Sequence, residues 1–218
     1  MGLHLNADDA RKGDTISNIL RDSGKYVGTI TRAEKLLSRN NVEGLGLSIK
    51  TDDGCSASYL DVYTVRLSDG ERLRGYHLVQ SILACLKLRD VEEGTIEADK
   101  WDSLARTQVR TKLPGYPALM GKRIGVLLQR EISTNQNTGE PSERLNLIGV
   151  FDPTTELTAS EILGGKTEPK RIREYEKLLE RTPVLDRRKR SGPVTPSAPR
   201  AASGAEFDDD IPFNRVAA

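Results

Sequence analysis

The chain is poor in the residues that carry most catalytic and metal chemistry. Its 218 residues include two histidines and two cysteines. His4 lies in a polar terminus, His77 reads as a helix-surface residue, and neither falls in a ligand-spaced cluster, so zinc has little support. Cys55 and Cys85 form no CxxC pair and are expected to be buried thiols in a reducing compartment. No run approaches the ~20 apolar residues of a membrane helix. The opening "MGLHLNADDARKGD" is polar and acidic by its eighth residue, unlike a signal peptide. A cytoplasmic protein with no membrane partner is expected.

Cofactor fingerprints are also missing. In "GYPALMGKR" five residues separate Gly115 from Gly121, and Arg123 stands where a phosphate-binding loop needs Ser or Thr. "GLG" at 44–46 has no third glycine and lies in a strand pattern, so it is not a dinucleotide site. No spacing points to catalysis, so the expectation is a binding protein with no enzyme activity, metal or cofactor.

Net charge is only +1, but the charge is segregated. Between 101 and 130, Arg106, Arg110, Lys112, Lys122, Arg123 and Arg130 face Asp102 alone. Between 183 and 205, Arg187, Arg188, Lys189, Arg190 and Arg200 outnumber Asp186. Residues 206–213 then carry Glu206, Asp208, Asp209 and Asp210 with no cation. Local patches of this kind say more about partners than the sum does.

The hydrophobic pattern predicts a strand at 24–32, a hairpin over 45–67 and a second hairpin from 122–132 and 144–151. Leu45, Leu47 and Ile49 alternate with Gly46, Ser48 and Lys50. Leu78, Ile82, Leu83 and Leu86 mark an amphipathic helix between the two hairpins. A short helix is expected around Trp101 to Val109. Thr158 and Glu161 have capping-box spacing, and a last helix carries an apolar stripe of Ile172, Tyr175, Leu178 and Leu179. That stripe can serve its own domain or a second copy, which leaves a homo-oligomer open. After Pro183 the composition turns to Pro, Ala, Ser, Gly and Arg and should stay disordered.

The element order, three strands, helix, two strands, is that of an OB-fold, a five-stranded Greek-key barrel. The expected organisation is an N-terminal extension at 1–23, the barrel at 24–151, helices at 152–182, a linker at 183–205 and a tip at 206–218. Such barrels bind single-stranded nucleic acid on strands two and three, between loops one-two and four-five, with cations for the backbone and aromatic faces for the bases. Loop one-two, "AEKLLSRNNVEG", offers Lys35 and Arg39, and loop four-five is the polar "STNQNTGEPSE". Tyr59 and Tyr63 share a strand face with Asp61, and Lys50 lies on the outer face of its strand. Strand tyrosines more often pack at a core or rim, and Val65 and Leu67 continue the same face. Trp101 is read either as a stacking residue or as an anchor for its own segment.

The tail adds a second line. "EFDDDIPF" (206–213) resembles the acidic tip of bacterial single-stranded DNA-binding proteins, in which an OB domain is followed by a linker and a tip of this type. The similarity covers eight residues, and a phage-encoded relative with a diverged barrel fits it best, placing the chain in a bacterial host cytoplasm. It implies that Phe207, Asp208, Asp209 and Asp210, with Ile211, Pro212 and Phe213, recruit replication, recombination and repair proteins, the last three filling an apolar pocket and the aspartates meeting basic residues around it. Here "NRVAA" follows Phe213, whereas the family ends at that Phe and uses its carboxylate. Two alternatives differ in class: a recombination protein that anneals complementary strands, and an adaptor that binds no DNA and competes for the host's tip-binding partners.

Overall fold

The computed structural model describes residues 18–102, 104–135 and 138–188; the acidic tip lies outside them. Strands account for 49% of the described residues and helices for 19%, which makes the class mainly β. In chain order the elements are β1 (Gly24–Leu37), β2 (Val42–Thr51), β3 (Ser56–Arg66), α1 (Arg74–Cys85), β4 (Gly94–Asp102), β5 (Thr107–Gly115), β6 (Arg123–Thr134), β7 (Pro141–Phe151), α2 (Ala159–Leu163), α3 (Lys170–Arg181) and β8 (Val184–Asp186). No helix among the described residues is long and apolar enough to cross a membrane.

The sheet is open and built around β1, and all its long strands pair antiparallel. β1 pairs with β2 along most of its length, with β6 through Gly24–Thr29, and with β5 at Glu34. A bulge makes this division possible. Ile30 opposes Ile49 and Arg32 opposes Ser48, leaving Thr31 without an opposite residue. An extra residue bends a strand and shifts its faces, so Ile30 and Ala33 both enter the core while Arg32 and Glu34 lie on the other side. β3 and β7 approach each other without backbone pairing, and β8 adds a short parallel strand to β6.

The main core joins Ile30, Leu45, Leu47, Ile49 and Leu60 to Ile82 and Cys85 of α1 and to Ile124, Val126 and Leu128 of β6. The alternation read in β2 holds: its three apolar residues are all buried. On the other face of β6, Leu127 and Phe151 pack against Ile172 and Leu179 of α3, with Tyr175 beside them, while Leu178 of the same stripe stays exposed. The expected capping box at Thr158 and Glu161 forms.

Several expectations need correction. The helix around Trp101 to Val109 is instead the hairpin β4–β5, with Ile96, Ala98 and Leu113 forming a small core under its inner face. Its turn is an Asx turn: Asp102 Oδ1 accepts N–H bonds from Leu104 (2.8 Å) and Ala105 (3.2 Å). Five strands become eight. Loop one-two shrinks to 38–41 because β1 runs on to Leu37 and keeps pairing with β2. The β6–β7 loop shrinks likewise, since that ladder continues to Thr134 opposite Pro141. The linker does not begin at 183, because β8 follows and Arg187 N–H donates to the Ile132 carbonyl (2.8 Å). Cys85 is buried, and burial pushes its thiol up to about 12, whereas Cys55 is only half-buried.

Candidate nucleic-acid interface

The outer face of β1–β2–β3 carries a polar layer whose shape depends on two glycines. Across the three strands Glu34 opposes Gly46, which opposes Asp61. A Cβ on Gly46 would clash with Arg32 Nη2, so the missing side chain lets the guanidinium cross β2 to Asp61 (3.3 Å). Gly44 does the same for Tyr63, whose Cδ1 would be 3.1 Å from an added Cβ.

Arg32 is the centre of this layer and is only 3% exposed. Its Nε lies 3.0 Å from Glu34 Oε2, close enough for an ion pair but misaligned, so both atoms lack a hydrogen-bond partner. Lys100 Nζ, from β4, donates to the other Glu34 oxygen, Oε1 (2.7 Å). Burial pushes the Asp61 carboxyl upward, with Arg32 pulling against it. Breaking one partner of such a buried network typically costs about 3–5 kcal/mol, while the intact network contributes far less.

Tyr59 lies against this network. Ser58 and Tyr59 together oppose Ser48, a second bulge, and Tyr59 has φ +59°. For a bulky residue this left-handed conformation costs about 1–3 kcal/mol, and such residues concentrate at functional sites. Arg32 covers the ring at 4.8 Å from its centroid, a cation–π contact. Tyr59 nevertheless remains 47% exposed, and Tyr63 and Trp101 are also exposed. Trp101 N–H donates to the Tyr59 hydroxyl (3.1 Å), bringing the hairpin beside β3. A third bulge, at Thr64, ends the alternation after Tyr63; this is why Val65 does not force the tyrosines inward.

Beside these aromatics runs a groove of about 980 Å³. Its floor is β2–β3, with Lys50 and Tyr59. One wall is the outer face of the β4–β5 hairpin, with Gln108 and Arg110. The other is formed by β6–β7 and the segment 18–21. Arg21, Arg32, Lys50, Arg110, Arg130 and Arg144 line it against only Asp99 and Glu143.

The structure thus brings together Lys50, Tyr59, Arg110 and Arg130 among the residues singled out from sequence, with Trp101 adjacent through its bond to Tyr59. It separates others. Lys35 belongs to β1 and pairs with Glu43 (3.5 Å) and Glu93, a bond that raises its pKa. Arg39 sits in the 38–41 turn, and Arg106, at φ +50°, in the hairpin turn. Lys112 is on the outer face of β5, opposite Glu97. Lys122 precedes β6, and Arg123 pairs with Asp52. None of these six lines the groove. Sequence reasoning missed Arg21, Arg32 and Arg144. The alternation Ile96, Ala98 against Glu97, Asp99, Trp101 was available to reveal the hairpin. Nothing local marked Arg32, whose face depends on the β1 bulge.

The sequence matches no protein-family model and no curated protein.

Proposed function

We propose that this protein binds single-stranded DNA along the groove, with little sequence preference, and coats it during replication, recombination or repair. The observation that carries the reading is the pairing of a cation-lined groove with a strained, exposed Tyr59 whose ring is already backed by Arg32. Cations along a groove take up backbone phosphates, and an open aromatic face accepts any base.

The architecture supports the same reading. Strands β1, β2 and β3, then α1, then β6 returning onto β1 and β7 approaching β3, follow the order of an OB barrel. The β4–β5 hairpin is then an insertion between helix and fourth strand. The groove lies over β2–β3, where OB domains take single strands. The EFDDDIPF segment would recruit partner proteins, a role that rests on its sequence alone.

Fluorescence anisotropy of labelled oligo-dT, with the full chain and a 1–205 truncation at two salt concentrations, tests this. Tight, salt-sensitive binding by both proteins is expected. No binding by either would overturn the DNA-coating reading.

A further inference from the structure

Glu131 stands apart from the aromatic site and is the most heavily engaged carboxylate of the β6–β8 edge. It is 1% exposed. Its Oε1 accepts from Arg144 Nε (3.1 Å) and Nη2 (2.7 Å), and its Oε2 from Asn146 Nδ2 (2.7 Å), with Arg187 Nε at 2.9 Å. The two arginines reach it from opposite sides of β6. Arg144 is its cross-strand partner on β7, and Arg187 is delivered by β8, which pairs Leu185 with Glu131.

One carboxylate therefore holds two guanidinium groups, leaving an excess positive charge. Both arginine side chains are 64% exposed. Among the described residues, Arg144 Nη1 and both Nη groups of Arg187 have no partner. Guanidinium groups fixed in place, each with N–H donors to spare, suit the oxygens of a phosphodiester. Arg144 also lines the groove, and Arg187 stands across Glu131 from it, on the β8 side of β6.

We propose that Arg144 and Arg187, oriented by the buried carboxylate of Glu131, form a phosphate clamp at that end of the groove. The clamp rests on the single-strand reading above and gives β8 a purpose: three residues of parallel pairing bring Arg187 to the site. Arg188, one residue on, is turned to Asp186 in a two-point contact (2.9 and 2.6 Å) and serves as the control.

The test is the salt dependence of oligo-dT binding by the full chain and its variants, each checked for folding by circular dichroism. Each phosphate that the protein no longer neutralises lowers the slope of log K against log salt by about 0.7 for single strands. Arg144→Ala and Arg187→Ala should each reduce the slope by about that much and bind several-fold more weakly, while Arg188→Ala should keep the slope. Glu131→Gln separates orientation from charge. Removing a negative charge beside DNA should by itself tighten binding, whereas a clamp without its support binds more weakly. An unchanged slope for Arg187→Ala, or tighter binding by a folded Glu131→Gln, overturns the clamp. Failure of the unaltered protein to bind oligo-dT instead overturns the single-strand reading, and the clamp with it.

Discussion

The backbone N–H of Trp101 is bonded to the hydroxyl of Tyr59 at 3.1 Å. Through that bond the β4–β5 hairpin is tied to the one strand tyrosine with a positive φ. The tie joins an inserted element to the polar layer of β1–β3, and Lys100–Glu34, one residue away on the opposite face of β4, makes the second such tie.

Tyr59 is expected to trade stability for binding. Tyr59→Ala should lose oligo-dT affinity by about 1–3 kcal/mol, the usual worth of a stacked base. Tyr59→Gly should lose as much affinity but unfold at higher denaturant than Tyr59→Ala, since glycine adopts a left-handed backbone without the roughly 1–2 kcal/mol that a Cβ costs there. Equal stability of the two variants would remove strain from the account.

Gly46→Ala should damage the site through Arg32. The new methyl displaces the guanidinium and also lies 3.1 Å from Leu36, leaving the buried Glu34 and the more open Asp61 without their shared arginine. A stability loss of about 2–4 kcal/mol is expected, together with weaker oligo-dT binding. Denaturant unfolding checks the first and anisotropy the second. Wild-type values in both would mean that Arg32 has room to move aside.

Glu161 should dominate part of the acid limb of stability. It is 1% exposed, and it accepts N–H bonds from Thr158 (2.9 Å), Lys170 (2.7 Å) and Arg171 (2.9 Å), so it joins α2 to the start of α3. Burial pushes its carboxyl upward, but those backbone bonds outweigh it and hold the group below its ordinary 4.5. A carboxyl depressed in the folded state contributes stability that is fully present above the unfolded value and lost as pH falls through the folded one. Glu161→Gln should cost about 2–3 kcal/mol near neutrality, the scale of hydrogen bonds to a charged group. It should also flatten the decline of stability below pH 4.5. Parallel acid limbs for variant and wild type would contradict this.

The legible part of this fold is the part governed by local period. Leu45, Leu47 and Ile49 alternate, Leu78 to Ile82 follow a helical stripe, and Thr158 with Glu161 has capping spacing; each local rule agrees with the tertiary result. That Tyr59 and Tyr63 share a face with Asp61 was legible too, but Val65 and Leu67 further along the strand left their exposure open. What was hidden depends on bulges. The extra residue at Thr31 turns Arg32 outward into the polar layer, and the one at Ser58–Tyr59 opens the platform; neither leaves a mark in a single sequence. The β4–β5 hairpin was obscured for a different reason. Its outer face is charged and its turn uses Asp102 and Arg106 instead of glycine, so the usual hairpin signal was absent.

Photocrosslinking of an oligo-dT carrying 5-iodouracil, followed by mapping of the attached peptides, tests the central claim most directly. The account predicts crosslinks to Tyr59 and Trp101, lost selectively in Tyr59→Ala and competed away by unlabelled oligo-dT. Crosslinks confined to α3 or to the tail beyond residue 188, with none on β3 or the β4–β5 hairpin, would contradict it.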